Sequence, residues 1–222
     1  GQDVLEAGTG NDLPVDRRVG GWLNRMLQAL PGAQAETAYS VGVEQMKILS
    51  GEAAYLSWAP TATLRLSPQA QLLLEHVYHD DPLFRDAARD AMQIGAESMD
   101  LDRVKGPTAD AHALGAFAAS RLNGASRIAA FSIAGWDSHA NQQDVLGRAL
   151  DRLAAAILAL RDGLGPNWGR TTVLAMTEFG RTVHENGSGG TDHGTGGALL
   201  MAGGAIRGGR AYGDWPGLGE GQ

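Results

Sequence analysis

Two short stretches carry residue types suited to metal chemistry. Near the C-terminus, Gly187-Ser188-Gly189-Gly190-Thr191-Asp192-His193-Gly194-Thr195-Gly196-Gly197 sets an adjacent carboxylate and imidazole among six glycines. Upstream, Gly135-Trp136-Asp137-Ser138-His139-Ala140-Asn141 places a second such pair two residues apart. Carboxylate oxygens and imidazole nitrogens together suit a divalent metal such as zinc, manganese or calcium. Asp137 and His139, at i and i+2, point to one side of an extended loop and can reach one ion. Asp192 and His193 would point apart in a strand; in a glycine-rich loop they can converge, or serve two neighbouring ions. Two ions about 3.5–4 Å apart suit phosphoryl or sulfuryl transfer, because they hold both the attacking and the leaving oxygen. These four residues are the candidate ligands. Asp137 alone could equally cap the helix that follows it, and His139 alone would read as a hydrogen-bonded loop histidine.

Glu178 and Arg181 form a third polar cluster and are the candidate catalytic residues. Glu178 would act as ligand or base, and Arg181 as a clamp for a planar anionic group. Their spacing of three equally permits an ion pair that fixes the loop. His184 and Glu185 read as solvated loop residues or as partners behind a ligand. His76 and His79 fall among charges on a helix, and His112 at a helix start; all three read as bland positions. Trp136 is either core aromatic or a lid over a pocket. Asn141 reads as a helix cap and Asn186-Gly187 as a turn. No G-x-S-x-G nucleophile motif, P-loop or dinucleotide fingerprint occurs. Gly203 to Gly209 follows an apolar run but lacks the spacing of a cofactor signature.

The elements that must position these residues are read from hydrophobic periodicity. Arg127–Ala134 is a continuous apolar run, as expected of a strand buried on both faces. A long helix follows, with Leu146, Leu150, Leu153, Ile157, Leu160 and Leu164 at spacings of three and four. Gly163, Gly165 and Pro166 end it. Thr171–Thr177 is the next strand and Ala198–Ala202 a third. Strand, long helix, strand predicts a βαβ unit in a mostly parallel sheet with helices on its faces. Ligands of such sheets bind beyond the carboxyl ends of the strands, where Asp137, His139, Glu178 and Arg181 all fall. In the N-terminal half, residues 1–16 read as polar and turn-rich. Helices are expected over Arg17–Leu30, from Ser67-Pro68 onward, over Pro82–Asp100 and over Thr108–Leu122. Short strands are expected over Ala38–Val43 and Ala53–Trp58.

A chain of 222 residues is long enough for one domain with a sizeable core. Its formal net charge of -7 argues against a nucleic-acid partner. With no cysteine, disulfides and thiolate ligands are excluded. No apolar run is long enough for a transmembrane helix, and no signal peptide is visible.

Several stretches resemble one bacterial family in order and spacing. They are Gly135–Gln142, Thr177-Glu178-Phe179-Gly180-Arg181-Thr182, Glu185–Gly194, Gly203-Gly204 and Tyr212–Leu218, joined by Gln2–Gly8 and Gly20–Arg25 near the start. The sequence resembles the family of domain of unknown function 1501, sulfatase-like proteins near the alkaline phosphatase superfamily. The resemblance spans nearly the whole chain and is most specific in the last ninety or so residues. It implies a three-layer α/β/α sandwich, alkaline phosphatase-like, over residues 1–222, with the site carried by the core at 126–222. It implies a bimetal hydrolase of phosphate or sulfate esters acting on a small anionic ester. It also implies export to the periplasm through a twin-arginine signal. Thr191-Asp192-His193-Gly194 looks like the superfamily's late metal-binding pair, and Asp137 and His139 like its other Asp/His cluster, at closer spacing than usual. An earlier strand and the nucleophile are expected upstream of Gly1, and the family's further histidine after the Asp-His pair has no counterpart here. Two alternatives follow: a non-catalytic exported binding or scaffold module on the same fold, and a carbohydrate- or anion-binding surface built from Trp136 and Arg181.

Overall fold

Short apolar runs between glycine and proline breakers form the strands, and longer runs with helical period form the helices. The computed structural model describes residues 2–8, 20–42, 46–59, 69, 73, 76, 77, 105–215, 217 and 219. The helices expected from Ser67 and over Pro82–Asp100, and His79, lie outside the described residues or are described only at isolated positions.

Strands β1 (Ala38–Val41), β2 (Leu56–Trp58) and β3 (Ile128–Ala130) form a parallel sheet in the order β2-β1-β3. Every residue of β1 is buried, as a strand covered on both faces requires. Alternation sends Tyr39 and Val41 into one core cluster with Phe117, Leu160 and Leu164. Ala38 goes to a second cluster with Leu27, Ile48 and Leu49. The first face is covered by helices α3 (Ala109–Asn123) and α4 (Gln142–Leu164), the second by helix α2 (Trp22–Ala29) and the 3-10 turn Lys47–Leu49. The chain is therefore mixed α/β, with a three-strand parallel sheet among helices. Its start differs from the turn-rich expectation: Gln2–Ala7 is a short helix, α1. Glu6 of α1 accepts the Ile48 amide at 3.0 Å, satisfying a donor at the 3-10 turn.

Helix α4 has two apolar faces. Ala149, Ala156 and Ala159 are buried, and α3 meets α4 through its own small residues. A Cβ on Gly115 would lie 2.2 Å from the Ala156 carbonyl oxygen, so the helices touch backbone to backbone there. Beside this contact Phe117, 1% exposed, fills the core; burial of such a side chain stabilises by about 1.5–3 kcal/mol. The leucine stripe behaves differently. Leu160 and Leu164 are buried, whereas Leu150 is 49% exposed.

The strand–helix–strand run departs from expectation. β3 pairs with β1, while β4 (Val173–Ala175) pairs antiparallel with β7 (Leu200–Ala202). Among the described residues no ladder joins β3 to β4, so the parallel sheet runs β2-β1-β3 and is not seen to extend through β4 as the strand–helix–strand reading expected. The helical crossover is real, but apolar period identifies a buried strand without naming its neighbour. The carboxyl ends of β3 and β4 nonetheless lead into one cluster of side chains, so the two strands run in the same sense. A hairpin also replaces what reads as loop. β5 (Gly180–Glu185) and β6 (Thr191–Gly194) pair antiparallel, Gly180 opposite Gly194 and Arg181 opposite His193. Among the described residues no helix is long and apolar enough to cross a membrane.

Candidate metal centre

Three segments meet at the carboxyl end of β3: the Gly135–Asn141 loop, the start of α4 and the β5–β6 hairpin. Glycine makes the junction possible. A Cβ on Gly190 would sit 2.3 Å from the His139 carbonyl carbon and 2.4 Å from its oxygen. Only a residue without a side chain lets the hairpin turn lie on the loop this closely. Gly189, at φ +71, takes the left-handed turn beside it. The first amides of α4 are then satisfied by the turn. The Asn141 N–H donates to the Ser188 carbonyl at 3.1 Å and the Gln142 N–H to the Gly189 carbonyl at 2.8 Å. Asn141 does occupy the N-cap position, but its side chain donates to Asp144 rather than capping the backbone.

Asp137, His139 and His193 bring one potential ligand atom each within 4.8 Å of one another. Asp137 Oδ1 lies 3.0 Å from His139 Nε2 and 2.9 Å from His193 Nε2. Asp192 is drawn to the same place but takes another position. Its Oδ1 lies 3.1 Å from Nδ1, the other ring nitrogen of His139. β6 is a strand, and adjacent residues on a strand diverge. His193 therefore reaches Asp137, while Asp192 stands behind His139. A carboxylate on one nitrogen of a histidine fixes the ring and directs the other nitrogen toward a metal. The all-oxygen and nitrogen donor set fits zinc or another divalent ion.

The electrostatics match this geometry. The hydrogen bond from His193 is the chief influence on the Asp137 carboxyl; desolvation opposes it, and His139 and Arg181 add to it, leaving the group below the usual carboxylate range. Asp192 is likewise lowered, first by the Asn186 amide and then by His139. Both carboxylates are ionised at neutral pH, as ligation requires. The four polar residues stay open to solvent. Side-chain exposure is 46% for His139, 51% for His193, 59% for Asp137 and 64% for Asp192.

Three donated hydrogen bonds hold Arg181 between the loop and the hairpin. One guanidinium nitrogen donates to the Thr191 carbonyl at 2.6 Å, and another to the Trp136 carbonyl at 2.8 Å and to Asp137 at 2.9 Å. It ties hairpin and loop together around Asp137. Among the described residues it forms no ion pair with Glu178. Glu178 is exposed just beyond β4. Trp136 donates its indole N–H to the Ile133 carbonyl at 2.7 Å. His184 and Glu185 are exposed on β5.

Two further residues belong to the site and were not read from the sequence as such. Asn186, seen only as a turn former, accepts the Ser188 and Gly190 amides and donates to the His139 carbonyl at 2.9 Å and to Asp192 at 3.1 Å. Phe179 stacks on His193 at 4.1 Å between ring centroids, with the Arg181 guanidinium on it at 5.0 Å. The aromatic next to Glu178 was a visible signal, since a phenyl ring close to an imidazole can stack on it.

Fold and site together define a mixed α/β protein with an Asp/His cluster at strand ends. The family model for proteins of unknown function DUF1501 matches residues 4–222. The chain belongs to that family. No curated protein and no solved structure matches it.

Proposed function

We propose that this chain carries the metal-binding site of an exported, periplasmic hydrolase of phosphate or sulfate esters, sulfatase- or phosphatase-like on an alkaline phosphatase-like fold. One observation carries the reading: Asp137, His139 and His193 offer three ligand atoms within 4.8 Å of one another. Asp192 orients His139 from behind. A divalent ion held there would act as a Lewis acid toward an anionic ester oxygen. Arg181 then serves as a positioning residue, keeping Asp137 ionised and aimed. Glu178, exposed at the rim, is the acid–base group left over for proton transfer to or from water or the leaving oxygen.

Elemental analysis after exposure to zinc, manganese and calcium tests the site. We expect stoichiometric metal in the wild type and none in Asp137→Ala or His193→Ala, together with hydrolysis of nitrophenyl phosphate or sulfate by the loaded protein. A metal-free wild type under those conditions overturns the proposal. The hydrogen bonds by which Arg181 ties the hairpin to the loop favour a second reading, a non-catalytic exported binding or scaffold module. Metal binding without turnover on a panel of both ester classes selects it.

A further inference from the structure

Beside the ligand residues, two hydroxyl groups are bound to one amide oxygen. Ser138 stands between Asp137 and His139 in the loop, and Thr191 stands just before Asp192 and His193 in the hairpin. Ser138 Oγ donates to Gln142 Oε1 at 3.2 Å, and Thr191 Oγ1 donates to the same atom at 2.6 Å. An amide oxygen has two lone pairs and can accept both at once. The Gln142 main chain adds another bond, its N–H donating to the Gly189 carbonyl at 2.8 Å. Gln142 therefore holds the hairpin on both sides of Gly190, the residue whose missing side chain lets the turn lie on His139.

The place of Gln142 in the fold gives these bonds a wider reach. It is the first residue of α4, a helix of 23 residues that buries Ala149, Ala156, Ala159, Leu160 and Leu164. The ligand-bearing segments have no such anchorage. β5 and β6 form a two-stranded sheet of their own, and an isolated hairpin is marginally stable at best. Its seat against the loop depends on contacts such as these. Ser138 is only 3% exposed, so its hydroxyl needs a partner within the protein. Arg181 ties the same two segments through their carbonyls. A guanidinium only donates, so the two hydroxyl donors need a separate acceptor, and Gln142 supplies it.

We propose that Gln142 is a positioning residue of the metal centre. Its side-chain oxygen sets the spacing of loop and hairpin, so that Asp137, His139 and His193 face one another before an ion arrives. The inference rests on the metal-binding reading above. Gln142 acts through Ser138 and Thr191 rather than on the ion.

Hydrogen exchange on the metal-free protein and zinc affinity by chelator competition test this together, in wild type, Gln142→Leu, Gln142→Asn and Gln142→Glu. Leucine keeps the bulk and removes the acceptor, asparagine stops one methylene short, and glutamate restores acceptor oxygens at the same reach. The main-chain amides of residues 141 and 142 donate to the hairpin at Ser188 and Gly189. We expect them to exchange about tenfold faster or more in Gln142→Leu and Gln142→Asn. Amides of β1 and β3 should be unchanged, which separates a loosened junction from a weakened fold. Zinc affinity should fall about 10–100-fold in the same two variants and stay close to wild type in Gln142→Glu. Three results overturn the proposal: junction amides that exchange alike in wild type and Gln142→Leu, faster exchange there with unaltered zinc affinity, or a Gln142→Glu protein as weak as Gln142→Leu. Equally faster exchange in β1 and β3 would make Gln142 a general prop of the fold and overturn it too. A wild type that takes no zinc removes the metal reading instead, and the exchange comparison alone then decides whether Gln142 holds loop and hairpin together.

Discussion

The polar cluster and the apolar cleft beneath it adjoin one another and are built in opposite ways. In the cluster Asp137, His139, Asp192 and His193 each have a hydrogen-bonded partner although all four are open to water. Asp137 Oδ1 alone meets His139, His193 and Arg181. In the cleft lined by residues 126–138 and 170–179, the facing edges of β3 and β4 have no strand partner among the described residues, and Leu150 lies half uncovered. The contrast shows what each kind of order requires. Directional hydrogen bonds and a close glycine contact fix a surface site without burial. An apolar layer is complete only when its volume and its backbone groups are both matched.

The largest effect should come from breaking the contact that makes the surface cluster rigid. In Gly190→Ala the new methyl would meet His139 main-chain atoms at 2.3 and 2.4 Å. Backbone cannot swing away as a flexible side chain can, so the hairpin must lift off the loop. Overpacking of this kind costs about 1–3 kcal/mol, and metal affinity should fall with it. Gly187→Ala is the control, since nothing lies within 4 Å of its added carbon. Urea unfolding midpoints that match for the two variants would show that the junction does not depend on this contact.

A narrower change separates ligand from support. Asp192→Asn preserves the shape that receives the Asn186 amide but removes the charge behind His139. Loss of such a supporting carboxylate weakens metal binding about 10–100-fold, whereas Asp137→Asn should abolish it. Competition with a calibrated chelator measures both. Equal losses in the two variants would make Asp192 a direct ligand, and an unchanged Asp192→Asn would remove its orienting role.

Legibility in the sequence divides along the same line. Residue types and their position after apolar runs pointed to Asp137, His139 and His193, because few other uses put carboxylate and imidazole together in glycine-rich loops. β1, β2, α3 and α4 were legible from apolar runs and breakers. The hairpin was not: Gly180-Arg181-Thr182-Val183-His184-Glu185 has no apolar alternation, since most of β5 faces water. The antiparallel partner of β4 was not legible either, because a buried run records its surroundings and not its neighbour. The double face of α4 escaped for a related reason. Alanine carries little hydrophobic signal, yet Ala149, Ala156 and Ala159 form the face that meets α3, and the louder leucines point into the cleft.

The smallest predicted effect concerns Arg152, which fastens the strand exit from the far side. Its guanidinium donates to the Ala134 carbonyl at 2.8 Å and pairs with Asp110 at the start of α3. Partial burial pulls the Asp110 carboxyl upward, but hydrogen bonds from Arg152 and the Ala111 amide, with the charge of Arg152, outweigh it and leave the group below its ordinary 3.8. A carboxyl lowered on folding contributes stability above its unfolded value and loses it as pH falls through the folded one. The contribution is thus complete above pH 3.8 and disappears below it. Asp110 is more than half exposed, so water screens the pair, and Asp110→Asn should cost only about 0.2–1 kcal/mol at neutral pH. Wild-type and variant unfolding curves should converge as pH drops well under 3.8. A gap that persists in acid would mean that Asp110 acts through packing rather than charge. The clamp on Ala134, three residues before Asp137, would then rest on Arg152 alone.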